Sequence, residues 1–146
     1  MTDVAPLRRE IVVPAGPDVA FRVFVEQIGR WWPLEQLSVF GAAATVGFEE
    51  GDIVETGPQG QRSVWGSVTT WCPGDEVAFT WHPGRDAGGA SHVTVTFRPT
   101  DDGTLVSLVH GGWDAFADPA AARAEYDGGW AMVLDRYAAA AVAEVA

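Results

Sequence analysis

The chain has 146 residues, of which 47% are hydrophobic and 20% charged, and this is the composition of a globular protein rather than of a disordered one. The formal net charge is −11 and all nine cationic residues are scattered arginines, so a phosphate backbone would be repelled and we expect no nucleic-acid partner. No apolar run approaches the roughly 18 residues that cross a bilayer, and the start, MTDVAPLRRE, lacks the apolar region of a signal peptide, so we expect a cytoplasmic protein with no membrane partner.

The N-terminal part of the chain predicts a strand followed by two helices. Residues 7–14 are rich in β-branched side chains and end in a proline, which is typical of a short strand. Pro17 and Asp18 suit the first turn of a helix, and apolar residues recur at roughly helical spacing over 19–28. The segment RWWP, residues 30–33, predicts a second short helix or turn whose aromatic pair caps one end of the core.

From residue 44 onward, apolar and polar residues alternate, which predicts an antiparallel meander. Turn-forming sequences such as GPQG, PGD and TDDG separate the runs. The six predicted strands cover residues 44–50, 52–57, 62–72, 76–82, 91–99 and 104–113.

A long helix is predicted over roughly 119–143, because Asp118 suits an N-cap and Pro119 the first helical position. One stripe of this helix carries Trp130, Val133, Leu134, Tyr137 and Ala141. Such an apolar face must be buried against a sheet. The order of elements therefore predicts a single α+β domain over 1–146, in which a curved seven-stranded antiparallel sheet wraps around the C-terminal helix. The gap between sheet and helix is a natural place for a cavity.

The opening strand and five further segments together resemble the activator of heat-shock-protein-90 ATPase homologue-like family. The five segments are PDVAFRVFVEQIGRWWP, GSVTTWCPGDEVAFTWHP, VTVTFRP, TLVSLVHGGW and GGWAMVLDRYAAAA. This family belongs to the START-like (SRPBCC) superfamily, and the resemblance covers nearly the whole chain. It implies the helix-grip fold with a central hydrophobic pocket. Superfamily relatives include lipid and hormone binders as well as polyketide aromatase/cyclases, so the resemblance implies much less about activity.

Three predicted strands each present an apolar face that we expect to be interior. The faces carry Val64, Gly66, Val68 and Thr70 on the first, Val77, Phe79 and Trp81 on the second, and Val93, Val95 and Phe97 on the third. In a helix-grip fold the core and the pocket wall share residues. Besides His110, the candidate ligand-binding residues are Trp81, Phe79, Val68, Thr70, Val95, Phe97, Leu108, Trp32, Tyr126 and Trp130.

His110 shares one face of its predicted strand with Val106 and Leu108. That face resembles the side that related domains turn toward the pocket, which would place His110 at one end of the cavity. Two alternatives stay open: His110 contacts a ligand, or it is a buried imidazole bonded to backbone or to a neighbouring hydroxyl. A general base needs a positioned partner and the sequence identifies none, so no catalytic residue is assigned.

The remaining polar residues indicate no metal or cofactor site. His82 and His92 are expected at the surface, and their spacing from His110 does not suit a zinc or iron site. The single cysteine, Cys72, excludes an internal disulfide and is expected to be a small buried side chain. The chain contains no GxSxG, Walker or GxGxxG motif.

The leading hypothesis is a binding protein for a small apolar or aromatic molecule, held in a hydrophobic cavity between the sheet and the C-terminal helix. The alternative is a cofactorless enzyme of the polyketide cyclase/aromatase or hydrolase type, in which His110, or a hydroxyl such as that of Thr70 or Tyr126, moves a proton. Co-chaperone activity toward a heat-shock ATPase is less favoured, because eukaryotic activators carry an additional N-terminal domain that we do not expect here. The chain is expected to be a monomer or a homodimer.

Overall fold

The computed structural model describes residues 4–145, which form seven strands, three α-helices and two 3₁₀ turns. The strands are β1 (Leu7–Val13), β2 (Thr45–Glu49), β3 (Asp52–Thr56), β4 (Arg62–Cys72), β5 (Glu76–Trp81), β6 (Ser91–Thr100) and β7 (Gly103–Gly111). The helices are α1 (Pro17–Glu26), α2 (Ile28–Trp31) and α3 (Pro119–Val145). The 3₁₀ turns, at Ala87–Gly89 and Trp113–Ala115, are not predicted by the sequence pattern.

The seven strands form one antiparallel sheet in the order β1-β7-β6-β5-β4-β3-β2. The predicted meander is therefore confirmed, and the first strand joins it by pairing with the last. The two short helices α1 and α2 lie between β1 and β2 in the chain, as predicted. The α+β helix-grip architecture is confirmed, with strand ends that differ from the predicted ones by one or two residues.

The C-terminal helix begins where the sequence predicts. The carboxylate of Asp118 accepts a hydrogen bond from the backbone N–H of Ala121 at 3.2 Å, and Pro119 is the first helical residue. The predicted apolar stripe is confirmed, because the buried residues of α3 are Trp130, Val133, Leu134, Tyr137 and Ala141. Within residues 4–145, no helix combines the length and the apolar character that a membrane span requires.

Polar contacts fix α3 against α1 and β1. The Tyr137 hydroxyl donates to the backbone carbonyl of Ala20 at 2.8 Å, and the burial of this phenol raises its pKa. Nearer the N-terminus of the helix, Arg9 of β1 donates to the Asp127 carboxylate at 2.8 Å. A half-exposed ion pair contributes little to stability. The apolar residues on the buried face of α3 therefore supply most of the free energy that holds the helix against the sheet.

A bulge in β4 turns Trp65 into the core. Ile53 of β3 pairs with Gly66, and the next residue, Val54, pairs with Val64, so Trp65 has no partner across these strands. Trp65 is fully buried, whereas Val64 is 40% exposed. The expectation that Val64 belongs to the interior face is therefore wrong, because the extra residue shifts the alternation.

A second irregularity in β4 changes the side on which Thr70 lies. Val68 pairs with Phe79, but Thr70 pairs with Ala78, so Thr69 is the extra residue. Residues that pair across antiparallel strands share a face of the sheet. Thr70 thus lies on the face opposite Val68, and the expectation that the two share an interior face is wrong.

The expectations for Cys72 and His82 are also wrong. Cys72 is exposed, since it is the last residue of β4 and adjoins a turn. His82 is buried, because the chain continues to pair with the bulged strand after β5 ends. Its backbone N–H donates to the Trp65 carbonyl at 2.5 Å, and its Nδ1 lies 2.9 Å from the carbonyl oxygen of Arg85.

The close approach of β4 and β5 at Gly66 yields a stability prediction. A Cβ at this position would lie 1.7 Å from the carbonyl oxygen of Thr80, whereas a Cβ at Gly47 of β2 would meet nothing within 4 Å. We expect Gly66→Ala to lower the free energy of unfolding by more than about 2 kcal/mol, because the strands must separate. Gly47→Ala should stay within about 0.5 kcal/mol of wild type.

Urea denaturation of both variants measures these changes. Equal unfolding midpoints for Gly66→Ala and Gly47→Ala would contradict the close contact between β4 and β5.

Candidate functional site

A cleft with a volume of about 640 Å³ lies beside the first half of α3 and opens to solvent. The opposite walls are formed by residues 36–39, which follow α2, by the turn after β5, and by Phe116. Most of the lining is apolar. Five aromatic side chains contribute to it: Trp32, Trp81, Phe116, Tyr126 and Trp130. Its volume and lining are typical of small-molecule sites.

Four of the candidate ligand-binding residues line this cleft: Trp32, Trp81, Tyr126 and Trp130. Five others are buried and lie outside the lining: His110, Phe79, Val95, Phe97 and Leu108. Val68 borders a separate, smaller recess together with Phe48 and Trp71, and Thr70 borders neither recess. The structure thus brings the three candidate tryptophans and Tyr126 together at the cleft and leaves the other candidates outside its lining.

Residues 36–39, Phe116 and Gly129 also line the cleft, although the sequence analysis does not assign them to a site. The loop residues lie outside the periodic segments, so the alternation of apolar residues could not identify them. The signal that was available is the pair Leu37 and Val39, two apolar side chains in a loop that are 37% and 45% exposed.

The indole rings of Trp32, Trp81 and Trp130 form an aromatic wall of the cleft. The ring centroid of Trp32 lies 5.6 Å from that of Trp81 and 6.0 Å from that of Trp130, and those two are 5.5 Å apart. Trp65, which the bulge turns inward, packs behind Trp32, and the centroids of the two rings are 5.1 Å apart. The Trp32 indole donates to the Leu37 carbonyl at 2.7 Å, which fixes both the ring and the adjacent loop. This aromatic wall is therefore preformed.

His110 lies behind this wall, where hydrogen bonds occupy both of its ring nitrogens. The Trp130 indole donates to Nδ1 at 2.9 Å, so Nδ1 is unprotonated and the proton of the neutral ring is on Nε2. Nε2 then donates to the Ser91 hydroxyl at 2.7 Å, and that hydroxyl donates to the Trp81 carbonyl at 3.2 Å. The imidazole thereby connects two residues of the cleft wall, Trp130 and Trp81.

The surroundings of His110 favour its neutral form. Burial, and to a smaller extent the charge of His92, lower the pKa of His110 from 6.5 to about 3. A neutral imidazole whose nitrogens are both engaged cannot exchange a proton with a substrate while these hydrogen bonds persist.

The lowered pKa of His110 predicts acid sensitivity. Between pH 6.5 and about 3 the unfolded chain binds a proton at His110 that the folded chain does not, so stability falls as the pH falls through this range and does not depend on this group above it. At pH 5 the loss from this group should be roughly 2 kcal/mol. In His110→Gln, the free energy of unfolding from urea melts should fall less between pH 7.5 and pH 5 than it does in wild type.

Nitrogen NMR of the wild-type imidazole provides a measurement that does not depend on the variant. We expect a protonated Nε2 and an unprotonated Nδ1 at pH 5. A doubly protonated ring at that pH would contradict the assignment.

Glu55 is a fully buried carboxylate that fixes the loop at the mouth of the cleft. One oxygen accepts the backbone N–H of Val39 at 2.7 Å and the Trp65 indole N–H at 3.1 Å. The other oxygen accepts the backbone N–H of Phe40 at 2.7 Å. Three donors thus compensate for the burial of the charge, and they join the loop to the aromatic wall.

No sequence motif assigns Glu55 a role, although its position in β3 carries a signal. Glu55 is two residues beyond Ile53 and therefore shares the inward face of the strand. A carboxylate at an interior position needs donors nearby. Which donors it would find could not be predicted, because they come from a loop and from a bulged tryptophan.

Removing the charge of Glu55 should loosen this loop. In Glu55→Gln one oxygen is replaced by an NH₂ group that cannot accept from a backbone N–H, so we expect a loss of about 2–3 kcal/mol. The amides of Val39 and Phe40 should exchange with solvent faster. Hydrogen exchange and urea melts measure the two effects.

Glu49→Gln is the matched control, since its exposed carboxylate lies 3.7 Å from Arg62 and should contribute under about 1 kcal/mol. Unchanged exchange at Val39 and Phe40 in Glu55→Gln would show that the loop is held by other contacts.

Charged side chains are few at the cleft. Glu125 lines its rim, and the guanidinium of Arg85 lies 4.1 Å from the centroid of the Phe116 ring. Arg85 also donates to the Ala115 carbonyl at 3.0 Å. Among residues 4–145, no three side chains of His, Cys, Asp and Glu lie close enough together to hold a metal ion.

Two adjacent glycines lie within α3 beside the cleft. Gly129 lines the cleft, and a Cβ added there would meet nothing within 4 Å. A Cβ at Gly128 would also meet nothing, but Gly128 faces solvent outside the cleft. Each glycine costs roughly 1 kcal/mol relative to alanine in a helix interior. At Gly129 the missing side chain leaves space in the cleft.

Comparison with known proteins gives one family match. The model of the family described as "Activator of Hsp90 ATPase homolog 1-like protein" matches residues 14–141. No curated protein matches the sequence.

Several solved structures have the same fold. Protein MLL2253 from Mesorhizobium loti is 17% identical, with a TM-score of 0.67 over 92% of this chain and 95% of that one. The AHSA1-like protein from Aeromonas hydrophila is 14% identical, with a TM-score of 0.67 over 95% of this chain and 93% of that one. The anthrahydroquino-γ-pyrone synthase Txn09 is 26% identical, with a TM-score of 0.62 over 96% and 99%.

Proposed function

Since the chain belongs to the Activator of Hsp90 ATPase homolog 1-like family, we propose that it is a START-like binding protein for a small apolar or aromatic molecule. The observation that carries this proposal is the cleft of about 640 Å³ whose walls are mainly aromatic. An apolar ligand gains free energy there because it removes both its own surface and the indole faces from water.

We propose different roles for the residues that the sequence analysis assigned. Trp32, Trp81, Tyr126 and Trp130 contact the ligand, because they line the cleft. His110 acts through Trp130, whose indole it orients. The interior residues behind the wall support it: Phe79, Val95, Phe97 and Leu108. The geometry offers no support for a ligand contact by Val68 or Thr70.

The same proposal includes the setting in which the protein works. We propose one domain that acts in the cytoplasm, as a monomer or homodimer. The net charge of −11 argues against a nucleic-acid partner.

A cofactorless cyclase-type enzyme is the second candidate. It is supported by the 26% identity to a protein named as an anthrahydroquino-γ-pyrone synthase, over 96% of this chain. In such a reaction Tyr126 would be the proton-carrying residue, because the nitrogens of His110 are occupied. Native mass spectrometry of freshly purified protein would identify a retained molecule. Product analysis after that molecule is incubated with the protein would then distinguish binding from turnover.

The two helical glycines provide a matched test of the binding site. Leucine at either position should raise helix propensity by a similar amount, on the order of 0.5–1 kcal/mol, so both variants should fold. Only Gly129→Leu places its side chain in the cleft. We expect it to weaken binding of the neutral fluorescent probe N-phenyl-1-naphthylamine by more than about tenfold, while Gly128→Leu binds like wild type.

Titration of the probe fluorescence measures both affinities. If Gly129→Leu and wild type bind the probe equally well, the cleft is not the binding site. If wild type does not bind the probe and retains no small molecule, the proposed function fails.

A further inference from the structure

Two of the six buried tryptophans differ from the rest in their hydrogen bonding. The indoles of Trp31, Trp32, Trp65 and Trp130 each donate to an acceptor. Within the part of the chain that the structure describes, the indole nitrogens of Trp81 and Trp113 are buried without a partner. A buried N–H without an acceptor is costly and therefore requires an explanation. Trp81 is the one of these two that lines the cleft, and it is only 2% exposed.

Tyr126, which carries a hydroxyl group, lines the same cleft. Burial raises the pKa of Tyr126, and the indole of Trp81 opposes that rise. The two side chains also share neighbours, since the Trp81 ring centroid lies 5.5 Å from that of Trp130, whose indole donates to His110, and His110 in turn contacts Tyr126. Ring contacts hold the phenol in place, with centroids 4.7 Å from His110 and 5.7 Å from Trp113.

We propose that Trp81 and Tyr126 form a donor relay for a neutral carbonyl oxygen of the ligand. The Trp81 N–H donates to the Tyr126 hydroxyl oxygen, and the Tyr126 O–H donates to the carbonyl. A phenol that donates to a ligand becomes a better acceptor, so ligand binding strengthens the contact with Trp81 and satisfies its N–H. This inference rests on the proposed function and specifies the chemical class of the ligand as an aromatic ketone.

Charge at the mouth of the cleft favours a neutral oxygen over a carboxylate. The charges of Arg85 and Glu125 both reach Tyr126 and act on its pKa in opposite directions. The guanidinium of Arg85 is held over the Phe116 ring and bonded to a backbone carbonyl. The effect of Arg85 on Tyr126 is the larger of the two, but its guanidinium is already engaged by these contacts, and the net charge of −11 repels a carboxylate.

Two probes of nearly the same shape test the relay. 2-Acetylnaphthalene carries a carbonyl where 2-ethylnaphthalene carries a methylene group, and neither probe can donate a hydrogen bond. Titration calorimetry should show that wild type binds the ketone roughly three- to tenfold more tightly than the hydrocarbon. In Tyr126→Phe the two probes should bind with equal affinity. Trp81→Phe should reduce the preference if that variant folds.

Tyr137→Phe is the matched control, because it removes a buried hydroxyl that bonds to Ala20 in α1, outside the cleft. It should keep the preference for the ketone. Equal affinity of wild type for the two probes would overturn the relay and leave the proposed binding function intact, as would a preference that persists in Tyr126→Phe. If neither probe binds to wild type, the proposed function fails, and the relay fails with it.

Discussion

The hydrogen bond from the Trp130 indole to Nδ1 of His110 joins the C-terminal helix to the sheet at the base of the cleft. Because an indole N–H can only donate, this bond fixes the tautomer of the imidazole. The tautomer in turn directs Nε2 toward Ser91, whose hydroxyl bonds to the backbone of β5. One chain of donors and acceptors thus runs from α3 through β7 and β6 to β5. If Nδ1 gained a proton, that chain would lose its first bond.

Two buried ionisable side chains, His110 and Glu55, lie behind the cleft and have different surroundings. His110 is surrounded by aromatic rings, with ring centroids 4.2 Å away for Trp113 and 4.7 Å away for Tyr126. It has no anionic partner among residues 4–145, so burial favours its neutral form. Glu55 instead has three N–H donors directed at its carboxylate. His110 positions the indoles of the aromatic wall, and Glu55 positions the loop at the mouth of the cleft. Each group thus fixes one side of the cleft.

Periodicity predicted the architecture well, because strands and helices with one buried face carry their pattern in the sequence. The stripe on α3 and the interior face that ends at His110 are examples. The pattern failed where one extra residue shifts the alternation, as at Trp65 and Thr69, since a bulge depends on the pairing between strands and has no local periodic signal. The candidate site was predicted only through its aromatic residues. Its loop residues and Glu55 depend on contacts between segments distant in the chain.

The costly features of the structure are concentrated around the cleft. Gly128 and Gly129 lie in the interior of a 27-residue helix, where alanine would be more favourable. Trp81 and Trp113 bury N–H groups without acceptors among the described residues, and both rings adjoin residues of the cleft wall. At the N-cap of α3 and along its buried stripe, by contrast, local rules and structure agree. In natural proteins such departures are expected where function rather than stability selects the residue. Their position beside one aromatic cleft is therefore an argument for a ligand that is independent of the fold.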